Sequence, residues 1–228
     1  MRQGRPGVRG WEIAAFAVSF ALAACVGLAL LWAGPATYRE IASERDGRSE
    51  LLRPDRPGER TDISTEGLTL LHEGWLAYVT GRTGTQPAQG EPWFTEDERR
   101  HMSDVRTVFV AAQVLAAGAA AALAVLARRA ARRGQLPRLA RAGAVAAALG
   151  VGAIGAVAAV AFDAAFLLFH EVVFPQGNFL FPPGSNLLVI YPEPYWYGVT
   201  LRIAVSFLAL AALVALAGHL ALRRTRAR

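Results

Sequence analysis

The chain has 228 residues but no lysine, a single cysteine and only four histidines. Without lysine, neither a Schiff base nor a phosphate-binding loop ending in Gly-Lys can form. The lone Cys25 excludes an internal disulfide. No Gly-x-Ser-x-Gly elbow is present. Cys25 sits near the middle of an apolar run and is a poor nucleophile. Any reaction run by this chain should therefore avoid ATP and a covalent enzyme intermediate, and no cofactor is expected.

What is present is hydrophobic: 54% of the residues, gathered into four long runs. About 20 apolar residues in a helix cross a ~30 Å hydrocarbon core. The runs are Trp11 to Trp32, Val105 to Ala127, Ala142 to Phe169 and Ile203 to Leu222. Thirteen arginines lie outside them in three blocks free of acids: Arg2 to Arg9, Arg128 to Arg141 and Arg223 to Arg228. Short basic segments stay cytoplasmic. The segment from Gly34 to Asp104 instead carries nine arginines against fourteen acids. The expected fold is an all-α four-transmembrane-helix bundle with an extracytoplasmic cap, N-in and C-in. Spans are expected at 11–33, 105–127, 142–169 and 201–222, with outer loops at 34–104 and 170–200. A cytoplasmic loop at 128–141 and a tail at 223–228 complete one membrane domain over 1–228. A pI near 10.4 could suggest nucleic acid, but this topological charge pattern argues against it.

Leu22-Ala23-Ala24-Cys25 has the look of a lipoprotein cleavage site. The apolar run continues past it to Trp32, as a span would. Leu68, Leu71, Trp75, Leu76 and Val79 recur at helical spacing. They predict an amphipathic helix at about 64–80, lying on the outer leaflet with Trp75 and Tyr78 in the headgroup zone, or packed on the mouth of the bundle. His72 within it reads as a surface or capping residue. Gly81 to Pro92 reads as a loop. Thr95-Glu96-Asp97-Glu98 is a capping box that starts a helix running into the second span. His101 and Asp104 then share one face on its first turns. The third run, 28 residues long, must tilt or project. Its Gly150-Val151-Gly152-Ala153-Ile154-Gly155 matches a dinucleotide fingerprint only by letter, since no strand precedes it.

Candidate chemistry gathers at the outer ends of the spans. Asp163 is an ionisable group within a span, and so a functional candidate or a structural hydrogen-bond partner, with Arg202 or Arg106 as possible mates. His170 lies seven residues on, almost two turns, on the same face. Helices joined by a short loop run antiparallel, so His101 and His170 could share one pocket and divide the work of base and acid. The same residues with Glu98 or Asp104 could hold a metal, but no His-x-x-x-His or Cys-x-x-Cys spacing supports this, and no metal is expected. His219 reads as structural. The segment from Phe169 to Thr200 holds five prolines and eight aromatics, which suggests a rigid cap at the interface.

Two segments carry a family resemblance. Glu98-Arg99-Arg100-His101-Met102-Ser103-Asp104-Val105-Arg106 is one. Phe162-Asp163-Ala164-Ala165-Phe166-Leu167-Leu168-Phe169-His170, then Phe174, Gly177-Asn178-Phe179 and Leu188-Val189-Ile190-Tyr191-Pro192-Glu193-Pro194-Tyr195-Trp196, is the other. Together they resemble the motifs of the DUF1461 family of integral membrane proteins, whose characterised members are lipoprotein intramolecular transacylases. The resemblance implies transfer of the sn-2 acyl chain of a diacylglyceryl-cysteine lipoprotein onto that cysteine's own α-amine. It maps the two catalytic histidines onto His101 and His170. Glu98, Asp104, Asp163 and Arg106 would support them, and Asn178, Phe179, Tyr191, Glu193 and Trp196 would bind substrate. Departures from the motif are Phe179 in place of tryptophan, Asn186 in place of aspartate and Arg106 in place of lysine. The implied partner is a diacylglyceryl-modified lipoprotein or a membrane lipid, and the implied location is a bacterial plasma membrane with the site facing outward. The competing reading is a non-enzymatic module that binds a lipid or partner protein through the outer aromatic segment.

Overall fold

The computed structural model describes residues 7–44, 49–56, 58–88 and 93–226. Arg2, Arg5, residues 89–92 of the expected loop, Arg228 and the side chain of Arg226 lie outside the described residues. The elements in chain order are α1 (Gly10–Trp32), α2 (Pro35–Ser43), β1 (Ser49–Leu52), β2 (Arg60–Ile63), α3 (Thr65–Val79), α4 (Glu96–Arg132), α5 (Leu136–Val160), α6 (Phe162–Val173), α7 (Asn186–Ile190) and α8 (Glu193–Arg226). Among the described residues, α1, α4, α5 and α8 are long and apolar enough to cross a membrane. They leave large side chains such as Val18, Leu149, Ile154 and Val157 uncovered. Water would penalise so much bare apolar surface, whereas lipid tails would not. The protein is thus an all-α, four-span integral membrane protein.

The chain divides into two compact units. One comprises Met1–Leu28, Gln113–Ala159 and Arg202–Arg228. Phe16, Phe20, Leu126, Leu139 and Phe207 form its core, with alanines between them. Small residues permit the close approach: a Cβ on Gly143 would strike the Phe16 ring, and one on Gly218 would lie 2.6 Å from the Pro137 carbonyl oxygen. Glu12, 3% exposed, receives the Arg133 guanidinium at 2.5 Å and the Arg9 amide at 3.0 Å. The turn from α4 to α5 is short. Gly134 adopts φ 66°, and the Gln135 amide returns to the Ala130 carbonyl, closing the helix with a left-handed cap. The arginines expected in a loop at 128–141 therefore lie mostly on helix ends.

The other unit comprises Ala29–Ala112 and Val160–Leu201. Its helix α3 buries Leu68, His72, Trp75, Leu76, Tyr78 and Val79. Trp75, fully buried and 5.0 Å from the Phe94 ring, is a core residue and not a headgroup anchor. The α3 N-terminus is capped by Ser64, whose hydroxyl accepts from the Gly67 amide at 3.1 Å. The hairpin pairs Ser49 with Ile63 and Leu52 with Arg60. The run expected as one span at 142–169 is two helices. Ala161, at φ −133° and ψ 55°, leaves helical geometry between α5 and α6. No proline or glycine sits at the break, but dividing the run relieves its excess length over a ~30 Å core.

Candidate active site

The second unit holds three buried or half-buried histidines in two settings. The capping box forms as read from sequence. Glu98 Oε2 accepts the Thr95 amide at 2.8 Å, and Thr95 Oγ1 accepts the Glu98 amide at 3.2 Å. Glu98 is 2% exposed, and its other oxygen accepts the Leu187 amide at 3.0 Å. One carboxylate thereby starts α4 and anchors α7. It fixes where His101, one turn further along α4, must lie.

His101 is 8% exposed. Its ring centroid lies 6.4 Å from that of His170 on α6, with the planes 24° apart. Phe174 and Phe181 flank His101 at 5.0 and 5.5 Å. Phe166, Phe169, Phe174 and Phe179 surround His170 at 4.1 to 5.6 Å. The histidine pair sits within a wall of aromatic rings.

Asp104 organises the loop beside the pair. Its Oδ2 accepts from Asn178 Nδ2 at 2.6 Å and from Gln176 Nε2 at 3.0 Å. Gly177 between them has φ 76°, a conformation that costs glycine nothing and lets both flanking amides reach one carboxylate oxygen. Asn178 Oδ1 and His101 Nδ1 are both buried, and neither makes a hydrogen bond of good geometry. Burial pulls the His101 pKa down to about 4, and the nearby Asn178 side chain opposes that only in part, so the two groups interact but stop short of satisfying each other.

His170 Nδ1 donates to the Phe166 carbonyl at 2.8 Å, which leaves the lone pair on Nε2. Burial lowers the His170 pKa, and the carbonyl bond opposes that only in part. The ring is therefore neutral at pH 7, with Nε2 able to accept a proton. Asp163 does not orient it. Asp163 is exposed and has no side-chain partner among the described residues. It shares a face with His170, but seven residues span about 10.5 Å along a helix, beyond hydrogen-bond reach. The Phe166 carbonyl, one turn back, takes that place.

The remaining expected site residues disperse. Arg106 lies over the Tyr78 ring at 4.8 Å and donates to the Tyr78 and Thr83 carbonyls, so it closes the end of α3. Phe179 lines the histidine pair. Trp196 touches Phe166 at 5.8 Å, and its indole N–H donates to the Tyr191 carbonyl at 3.1 Å. Glu193 is exposed on the first turn of α8. Tyr191 turns toward a different histidine, His72. That residue is no surface or capping group. It is 2% exposed, stacked on Tyr38 at 4.2 Å, with Nε2 2.9 Å from the Ala33 carbonyl and Nδ1 3.2 Å from the Tyr191 hydroxyl. Burial pulls its pKa down to about 4. Sequence reasoning also missed the role of Asn186. Its amide accepts from the Leu52 N–H and donates to the Leu52 and Trp93 carbonyls, all within 2.8 Å. An ionised aspartate could accept the Leu52 amide but not donate to the two carbonyls, so these partners suit asparagine at that position. Among the described residues no group of three or more His, Cys, Asp or Glu side chains is placed to hold a metal.

No curated protein matches this chain. Among solved structures it is similar to the membrane-integral lipoprotein intramolecular transacylase Lit from Bacillus cereus. The TM-score is 0.74 at 14% identity, over 96% of this chain and 97% of that one. Two variants of the same protein, each with one histidine replaced, are similar as well. The arginine variant gives a TM-score of 0.69 at 13% identity, over 95% of this chain and 92% of that one. The alanine variant gives 0.70 at 13% identity, over 96% and 95%. At such identities the likeness establishes the fold. The family evidence comes from the sequence itself, since the model for lipoprotein intramolecular transacylase Lit matches residues 55–196, more than half of the chain and every residue of the histidine site. The chain belongs to the lipoprotein intramolecular transacylase Lit family.

Proposed function

We propose that this chain transfers the sn-2 acyl chain of a diacylglyceryl-cysteine lipoprotein to the α-amine of the same cysteine, with His101 and His170 as the catalytic residues. The observation that carries this reading is the unfinished hydrogen bonding at the pair. His101 Nδ1 and Asn178 Oδ1 are buried near each other without a well-formed hydrogen bond, and His170 Nε2 is left with its lone pair. A centroid separation of 6.4 Å is too long for a direct hydrogen bond between the rings. One reacting group between the rings would nevertheless lie within hydrogen-bond reach of both.

The α-amine attacks the sn-2 ester carbonyl. A C–N bond forms, and the C–O bond breaks with its electron pair leaving on the sn-2 oxygen. His170 Nε2 takes the proton from nitrogen and returns it to the departing oxygen. The His101 imidazole donates a hydrogen bond to the oxyanion formed on the way. Asn178 Oδ1 accepts from the amine and holds it at the carbonyl, and Asp104 fixes Asn178. Donor and acceptor belong to one molecule, so positioning supplies much of the rate. The phenylalanine wall and Trp196 limit the water that would otherwise hydrolyse the ester. Glu98 and Arg106 act by placing α4. The chain works as one membrane domain in a bacterial plasma membrane, with the histidines at the outward boundary.

The test is direct. The purified protein is given a diacylglyceryl-cysteine lipopeptide, and its N-terminus is followed by mass spectrometry. Formation of the N-acyl, lyso-glyceryl isomer at unchanged mass supports the reading. Recovery of substrate alone, or of free fatty acid, overturns it.

A further inference from the structure

The unit formed by Met1–Leu28, Gln113–Ala159 and Arg202–Arg228 carries a groove of about 460 Å³ along α5 and the end of α8. Gly218 brings α8 against the first turns of α5, and Leu222, one turn later, closes one side. The mouth is lined by Arg138 and Arg141, three residues apart and so on one helix face. Below them Ala142, Val145, Ala146 and Leu149 continue the same stripe at helical spacing. From Arg138 to Leu149 the stripe runs roughly 16 Å at ~1.5 Å per residue. That is about one leaflet of a ~30 Å hydrocarbon core.

The two arginines have no counter-charge of their own. Both are exposed, and neither guanidinium makes an ion pair or hydrogen bond among the described residues. The unit's sequence has one carboxylic side chain, Glu12, and Arg133 occupies it. The positive end of the α5 dipole adds to the same field. We infer that this groove is a binding site for one anionic phospholipid, its phosphate on Arg138 and Arg141 and one acyl chain along Ala142 to Leu149. Paired cations above an apolar slot of single-leaflet depth match the amphiphile that surrounds the protein. This site is separate from the histidine pair and does not depend on the reaction proposed there.

The experiment is native mass spectrometry of the full chain in detergent, titrated with phosphatidylglycerol or with phosphatidylcholine of the same chains. One phosphatidylglycerol should be retained in preference. R138Q/R141Q should weaken its retention roughly thirtyfold, to the level of phosphatidylcholine. R128Q/R129Q removes two exposed arginines outside the groove and should leave retention within about twofold. A146F fills the slot without changing charge and should also lose the bound lipid, while circular dichroism reports that both groove variants remain folded. Equal weakening by the two arginine pairs, equal retention of both lipids, or full retention by A146F would overturn the inference. Displacement by glycerol phosphate alone would also count against it, because a site that needs no chain is not a lipid site.

Discussion

The histidine pair and His72 lie in the same unit and differ in how much of their hydrogen-bonding capacity is used, the difference on which the proposed chemistry rests. His72 spends both ring nitrogens on fixed partners, the Ala33 carbonyl and the Tyr191 hydroxyl, and stacks on Tyr38. Nothing on it is left for a ligand. His101 keeps a buried Nδ1 without a well-formed hydrogen bond, and His170 uses one nitrogen and keeps the other. Burial alone does not set the pair apart, since His72 is the more buried; the open hydrogen-bonding capacity does, and the proposed catalytic role rests on it.

The largest effect expected from this contrast is on turnover. H101A and H170A should each lower it by about 10²- to 10⁴-fold, the usual worth of a positioned acid or base. The unfolding temperature should fall less than in H72A, because the Phe166 carbonyl bond of His170 is made within one helix turn and His101 makes no well-formed side-chain bond. H72A should do the reverse. It leaves a void beside Tyr38 and strands a buried carbonyl, and should cost roughly 2–4 kcal/mol of stability by denaturant unfolding. The folded fraction should keep near-native turnover. Loss of activity in folded H72A would erase the distinction between the two settings.

Smaller effects sharpen it. D104A frees Gln176 and Asn178 and should lower kcat by about ten- to a hundredfold through misplacement. D104N, which keeps one accepting oxygen, should recover part of the loss. D163N should stay within about twofold of wild type, since Asp163 touches nothing at the pair.

Acidity separates the settings again. His72 has a pKa of about 4 when folded against an ordinary 6.5, so the unfolded chain binds the extra proton. Its contribution is therefore complete above pH 6.5 and falls away as pH drops toward 4, by an amount on the order of 3 kcal/mol. H72F should flatten that slope. Turnover needs neutral His170, whose pKa burial holds below 6.5, so the acid limb of kcat/KM should also lie below pH 6.5.

The sequence made the spans legible because a helix in lipid needs a long apolar run and little else. The capping box at Thr95 and Glu98 was legible because its four residues are local. His101 and His170 could be paired through two motifs and the antiparallel run of adjacent helices. The rest depends on distant partners. His72 looked like a surface group because Ala33 and Tyr191, which enclose it, lie 39 and 119 residues away. Helical periodicity puts Asp163 and His170 on one face, but says nothing about a distance of two turns. The hairpin of β1 and β2 carries no sequence signature, because only Leu51 of its residues is buried, which leaves no alternation to read. The clamp of Asp104 on Asn178 requires the turn at Gly177, a backbone feature that the motif alone does not reveal.

The central claim is that two imidazoles act together on one substrate. The most direct measurement is the rate of N-acyl, lyso-glyceryl product from a diacylglyceryl lipopeptide for H101A, H170A and the double variant, each confirmed as folded. The account predicts that each single variant loses nearly as much as the pair, because the two rings serve one transition state. Losses that multiply as independent effects, or a single variant at wild-type rate, would contradict it.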